Sequence, residues 1–224
     1  SPGAQGYSPL RQIDRQNVDR LQLAWVWGME PGTSQSSFLV RDGVIFLPSQ
    51  ANVIQALDGK DGTLLWEYRR TFAEGTSIGR GHLRSLAIWE DLVLVATLDA
   101  HLVALDARTG RQCRDFGRNG QVRITDGMGQ VRPGYVSINS PPTIVRGIIV
   151  TGHQVLDGQD RWAPSGVIQA YDAVTGEMRW AWDMMHPERS GPPPAGQTYA
   201  RGTPNMWTIA SGDEQLGLVY LPMG

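Results

Sequence analysis

The chain has 224 residues, 41% of them hydrophobic and 19% charged, with a formal net charge of −2. That balance describes a folded globular chain, and without a basic patch or tail it argues against nucleic acid as the main partner. Apolar runs fall far short of the ~18 residues a membrane span needs, and no signal peptide is visible at the start, so any targeting segment is expected to have been removed or to lie outside this stretch. The single cysteine, Cys113, excludes an internal disulfide and a cysteine-based metal site.

Residues 10–22 (LRQIDRQNVDRLQ) are the best helical stretch, with Asp14 or Asn17 as a cap for a short turn of helix. From there strand signals dominate: 24–27, 37–48, 53–57 and 64–68, then 85–88, 92–97 and 101–105, then 143–151, 166–171 and 178–182, and last 217–222. Gly, Asp, Asn and Pro separate them.

Within this series one cassette appears three times: VIQALDGKDG at 53–62, HLVALDARTG at 101–110 and VIQAYDAVTG at 167–176. An apolar strand ends at Asp58, Asp106 or Asp172, whose side chain can bond the backbone of the following turn. The Gly at 62, 110 or 176 supplies a positive φ and closes a hairpin. A second strand follows, with Trp66 and Trp180 at one offset and Arg114 at that offset in the middle copy. A ring at a fixed place suits packing between neighbouring sheets.

Repeated strand–turn–strand units predict an all-β fold, a β-propeller of four-stranded blades. Repeats are expected at 37–70, 84–116 and 143–184, behind an N-terminal segment 1–36 and before the start of a fourth at 205–224. The interval from Asp106 to Asp172 is longer than that from Asp58 to Asp106, and holds loops 117–142 and 153–165. Insertions of this kind sit on one face of a repeat array, often the binding face. A Pro-rich loop, SGPPPAG at 190–196, precedes the last strands. Three and a half blades do not close a ring, since propellers have about 4–8, so the natural protein is expected to continue past Gly224.

Three extended segments carry a family resemblance: YSPLRQIDRQNVDRLQLAWVW at 7–27, RSLAIWEDLVLVATLDAHLVALDARTG at 84–110 and GTPNMWTIASGDEQLGLVYLPMG at 202–224. With them the chain resembles the pyrroloquinoline quinone (PQQ)-dependent dehydrogenases, within them the membrane-bound glucose/quinate group. The resemblance implies the N-terminal part of an eight-bladed propeller. It also implies oxidation of a sugar, polyol or cyclic hydroxy acid, electrons passed to membrane ubiquinone, and residence in the periplasm on an inner-membrane anchor.

It further implies roles for particular residues. Arg84 matches an arginine that pairs with a cofactor carboxylate, a pairing that suits a guanidinium fork; by spacing alone it also reads as a surface arginine. Trp207 matches the floor beneath the planar quinone, where the other reading is a blade-packing ring, and Asn205 could reach the cofactor edge. Asn139 matches a cofactor-bonding hydroxyl position. Gln35 stands where the family usually has Glu; it can still hydrogen-bond the quinone but carries no charge. Asp157 matches a carboxylate ligand of the active-site cation, calcium or magnesium, and also reads as an ordinary Asp-Gly turn. Arg80 and His82 lie near a substrate-contacting histidine of the sugar-oxidising members, and His82 reads equally as a polar loop residue. Ile78 and Gly79 occupy the places of the adjacent cysteines of the alcohol branch. The resemblance puts no catalytic residue within the chain: the family's aspartate base is expected beyond Gly224, so the chain alone is expected to show no turnover. The alternative is a non-catalytic PQQ-like propeller that scaffolds assembly in the bacterial envelope, since propellers host many functions.

Overall fold

A computed structural model describes residues 10–78, 82–156, 158 and 160–224. Strands β1 (Leu39–Arg41), β2 (Val44–Ser49), β3 (Val53–Asp58) and β4 (Leu64–Arg69) form one antiparallel meander in chain order. Strands β5 (Ala87–Trp89), β6 (Leu92–Ala96), β7 (His101–Asp106) and β8 (Gln121–Arg123) form the next. Between that sheet and the third, β9 (Val136–Ser137) pairs with a later short strand, β12 (Gln154–Val155). The third meander takes β10 (Thr143–Val145), β11 (Ile148–Thr151), β13 (Ile168–Asp172) and β14 (Met178–Trp182). A hairpin of β15 (Ser211–Asp213) and β16 (Leu218–Tyr220) follows. The fold is a partial β-propeller, all-β as the repeats require. No helix among the described residues is long and apolar enough to cross a membrane.

The sheets stack face to face, and side-chain alternation explains how. In the second sheet Val93, Val95, Val103 and Leu105 join Phe46, Ile54, Ala56 and Trp66 of the first sheet in one core. Leu94, Ala96, Leu102 and Ala104 point the other way, into a core with Ile144, Ile149 and Tyr171 of the third. Successive residues of a strand face opposite sides, so the middle strands read as continuous apolar runs because both of their faces are covered. Each fully buried Leu, Ile or Val contributes roughly 1.5–3 kcal/mol.

The cassettes are the turns that join the third and fourth strands of each sheet. Asp106 Oδ1 accepts from the amides of Arg108 (3.0 Å) and Thr109 (2.8 Å), and Asp172 Oδ1 from those of Val174 and Thr175 (both 2.9 Å). The glycines close the turns at φ +77°, +68° and +70°. Each turn carries a ring from the preceding segment. Trp25 Nε1 donates to Gly59 O (3.2 Å), and Trp66 Nε1 donates to Ala107 O (2.9 Å). In the third cassette Phe116 lies against Gly176, while the Gly117 amide donates to Thr175 O at 2.7 Å.

Several details differ from the sequence reading. Residues 10–22 form only a single 3-10 turn at Val18–Arg20, and Asn17 makes no side-chain cap; its Oδ1 accepts from the Asp14 amide instead. Residues 24–27 pair with no strand among the described residues. The outer strand of the second sheet lies at 121–123, after the stretch 84–116, because residues 111–120 loop out between the turn and that strand. A fourth Asp-x3-Gly turn stands at 213–217, built like the others: Asp213 Oδ1 accepts from the Gln215 and Leu216 amides at 2.9 Å.

Candidate active site

One position recurs in every unit. Gln35, Arg84, Asn139 and Trp207 each lie three or four residues before the first strand of their sheet, β1, β5, β10 and β15. The meanders stack, so these lead-in segments lie side by side. The Ser37 amide donates to Arg84 O (2.7 Å), and the Arg84 amide donates to Asn139 O (2.8 Å). Ser140 Oγ donates to Trp207 O at 2.7 Å and closes the series. Hydroxyls reinforce it: Ser36 Oγ donates to Leu83 O (2.8 Å) and Ser85 Oγ to Ser37 O (3.0 Å).

Above these segments lies a cavity of about 400 Å3, lined among others by Gln35, His82, Arg84, Tyr135, Asn139 and Gln154. Both insertion loops reach it, Tyr135 from one and Gln154 from the other, held together by the β9–β12 pairing. No carboxylate lines it among the described residues.

Arg84 is its fixed charge. Its Nη1 donates to Ser140 Oγ (3.2 Å) and Trp207 O (3.3 Å), and its guanidinium carbon stands 5.3 Å from the centre of the Trp207 ring. Among the described residues no carboxylate pairs with it. Partial burial pulls its pKa below the ordinary arginine value, yet a guanidinium stays protonated in proteins. An unneutralised, partly desolvated guanidinium is a carboxylate-binding group. Asn139 is buried; its Nδ2 donates to Gln154 Oε1 (2.9 Å) and its Oδ1 has no partner among the described residues. A buried unpaired amide oxygen at a cavity wall fits a hydrogen-bonding ligand.

The other sequence-derived residues fall in different places. Gln35 is exposed at the rim of the cavity and His82 is buried in its wall. Trp207 is 46% exposed and lies beside Arg84, in a narrow crevice with Asn139, Ser140 and His153. Asn205 is buried away from the cavity: its Oδ1 accepts from the Val155 amide (3.4 Å) and its backbone exchanges two 3.0 Å bonds with Gly224. Arg80 and Asp157, like Gly79, lie outside the described residues. Sequence reasoning did not single out Tyr135, Gln154 or Ser140. Ser140 adjoins Asn139 and was reachable through the repeated lead-in position; the two loop residues have no repeat to locate them.

His153 sits beneath this floor, fully buried, with Nε2 donating to Ser165 O at 2.7 Å. Burial brings its pKa down to about 4, against a partial lift from that bond.

Comparison with known proteins gives a consistent picture. The family model described as "PQQ: Glucose/ethanol/alcohol dehydrogenase, beta-propeller domain" matches residues 1–224. The chain is 39% identical to the glycerol dehydrogenase large subunit of Gluconobacter oxydans, over 97% of this chain and 32% of that protein. It is 30% identical to the quinate/shikimate dehydrogenase (quinone) of Acinetobacter baylyi, over 99% of this chain and 31% of that protein. It therefore spans about a third of the length of the curated relatives it matches. Among solved structures, the quinohemoprotein alcohol dehydrogenase ADHIIG of Pseudomonas putida superimposes with a TM-score of 0.73 at 27% identity, over all of this chain and 33% of that one.

Proposed function

Because this chain belongs to the glucose/ethanol/alcohol dehydrogenase β-propeller family, we propose that it is the cofactor-gripping part of a quinoprotein dehydrogenase acting on a sugar, polyol or cyclic hydroxy acid. Relatives named for glycerol are more similar (39% and 37%) than those named for quinate/shikimate (30%) or glucose (26–30%), which favours a polyol. Electron delivery to membrane ubiquinone and residence in the periplasm on an inner-membrane anchor belong to the same reading.

The observation that carries it is an unneutralised guanidinium and an unpaired buried amide oxygen on one cavity wall, with an indole beside the guanidinium in the adjoining crevice. These residues fit PQQ, a flat quinone bearing three carboxylates. Arg84 would hold a carboxylate, Asn139 and Gln35 would hydrogen-bond polar edges, and Trp207 would offer a stacking face. Asn205 would act one step back, by holding the segment that carries Trp207. The bound quinone supplies the two-electron oxidant for the substrate C–H bond.

The chain's own residues bind and orient. Asp157 is proposed as one oxygen ligand of calcium or magnesium; the described residues hold no cluster of three or more His, Cys, Asp or Glu that would complete its shell. Arg80 and His82 are proposed as substrate contacts. Among the described residues the cavity wall offers no carboxylate to take a hydroxyl proton, and the family's aspartate base is expected beyond Gly224, so residues 1–224 alone are proposed to have no turnover.

The test is reconstitution of the complete protein with PQQ and calcium or magnesium, followed by dye reduction with glycerol, glucose and quinate. Turnover with at least one, dependent on PQQ, is the expected result. No PQQ binding and no turnover would sink the proposal and return the scaffold reading.

A further inference from the structure

A second cleft, of about 390 Å3, neighbours the Arg84 cavity and shares Tyr135 with it as a lining residue. Its walls come from the two insertion loops and from residues 198–201, and they include Gln130, Arg132, Asp160, Trp162 and Thr198. Trp162 is 68% exposed. Exposing an indole has a cost that packing normally avoids, and here the loop that carries it is braced.

The bracing is specific. Asp160 Oδ1 accepts from the Trp162 amide (2.8 Å), and the Ala163 amide donates to Asp160 O (3.2 Å). Arg201 then ties the two walls together. Its Nε donates to Trp162 O (2.8 Å), and its Nη1 donates to Met128 O (3.0 Å) and Gln130 O (3.1 Å). The platform is thus fixed before any ligand arrives, which lowers the ordering cost of binding.

The polar groups decide the ligand class. The Arg132 guanidinium stacks 5.6 Å from the centre of the Tyr135 ring, and among the described residues it pairs with no carboxylate. Asp160 pairs with no cation among the described residues. One donor cation and one acceptor anion thus face the same cleft as an exposed indole. A hydroxy acid would pair its carboxylate with Arg132 but leave the Asp160 charge facing that anion, and a purely apolar ligand would leave both charges unpaired. A neutral polyhydroxylated ligand satisfies every group: its C–H face lies on the indole, its hydroxyls donate to Asp160 and accept from Arg132. Clefts of this size, with a few convergent polar groups, take small ligands.

We propose that the Trp162 cleft is a capture site for a neutral polyol or sugar, sharing Tyr135 with the Arg84 cavity. Its role as an antechamber for substrate rests on the dehydrogenase reading; the binding itself does not.

The experiment is ligand-detected saturation-transfer NMR on the complete protein, with sorbitol, glycerol and quinate as probes and no cofactor added. Sorbitol is expected to bind, and both Trp162→Ala and Trp162→Leu to weaken it about tenfold or more. Asp160→Asn is expected to weaken it less, and Arg84→Ala to leave it unchanged. In the reconstituted enzyme Trp162→Leu is expected to raise KM for the polyol at constant kcat, with PQQ affinity unaltered. Sorbitol binding unchanged in both Trp162 variants overturns the site. Tighter binding of quinate than of sorbitol overturns the ligand class. Failure of PQQ to bind sinks the enzyme reading while leaving the sorbitol result readable.

Discussion

Arg84 and Trp207 lie 123 residues apart, yet the guanidinium carbon of one stands 5.3 Å from the ring centre of the other. They meet because each leads into the first strand of its sheet, and the lead-in segments converge. The contact is a cation over a π face, and Arg84 also donates to Trp207 O. The two residues therefore position each other, and each should affect binding at a site the other helps to form. Arg84→Ala should weaken PQQ binding to the complete protein by roughly 10- to 100-fold, the worth of a charge-assisted hydrogen bond. Arg84→Lys should recover only part of that, because an ammonium lacks the planar fork. Titration of intrinsic fluorescence by PQQ measures both. Wild-type affinity in either variant rejects a bidentate carboxylate role.

The same stacking logic holds the blades together. A Cβ added at Gly110 would stand 2.5 Å from the Trp66 ring, and the residue sits at φ +68°. Gly110→Ala therefore combines left-handed strain with a clash, and should destabilise by well over about 1 kcal/mol. Trp66→Ala removes the ring and its bond to Ala107 O, and should cost about 3–5 kcal/mol. The double variant should cost less than the sum, because the clash at Gly110 disappears with the ring. Urea unfolding of the four proteins tests this; simple additivity would mean that the ring and the turn do not interact.

Arg70 and Asp99 form a second link between the first two sheets. Their side chains are only 8% and 16% exposed, and Arg70 donates to both Asp99 oxygens and to Gln121 Oε1. Burial pushes the Asp99 carboxyl up, but bonds from His101, Arg70 and Thr97 outweigh it and hold it well below the usual carboxylate range. Asp99→Ala strands a buried guanidinium and should cost about 3–5 kcal/mol. Arg70→Met with Asp99→Leu should cost less than that single change, because no charge is left unpaired. Thermal unfolding separates the cases; a double variant as unstable as Asp99→Ala would show that the pair contributes more than mutual neutralisation.

Much of this architecture was legible because it repeats. The Asp turn needs one side-chain oxygen and one residue at positive φ, so its sequence trace survives in all three cassettes. The ring that covers the turn was legible in Trp66 but not in the second repeat. There the chain loops out before β8, and Phe116 takes the place that a fixed offset assigns to Arg114. Residues 24–27 carry a strand pattern without pairing as a strand, because that pattern records Trp25 and Trp27 docking on the first sheet, at Gly59 O and Gln55 Oε1. In the site, Gln35, Arg84 and Asn139 came from resemblance, yet their common lead-in position is itself a repeat signal. Asn205 shows where resemblance and geometry part: its neighbourhood in sequence suggests the cofactor edge, and its amide oxygen instead holds β12. Tyr135 and Gln154 come from insertions, where no periodicity exists to read.

His153 gives the fold a dependence on pH distinct from that of Asp99. Its folded pKa, about 4, lies below the ordinary value of 6.5, because burial disfavours the imidazolium more than the bond to Ser165 O favours it. Between those two values the unfolded chain takes up a proton that the folded chain refuses. Stability is therefore fully present above about pH 6.5 and falls as the pH drops toward 4, by roughly 3 kcal/mol if the whole shift is realised. The Asp99 contribution is lost only below the ordinary carboxylate pKa, about pH 4, so the two windows are separable. His153→Gln keeps a donor for Ser165 O and removes the titration. Urea midpoints at pH 7.5, 6 and 5 should fall steadily for the wild type and far less for this variant. Parallel pH slopes in the two proteins would mean that His153 is not held neutral by the fold.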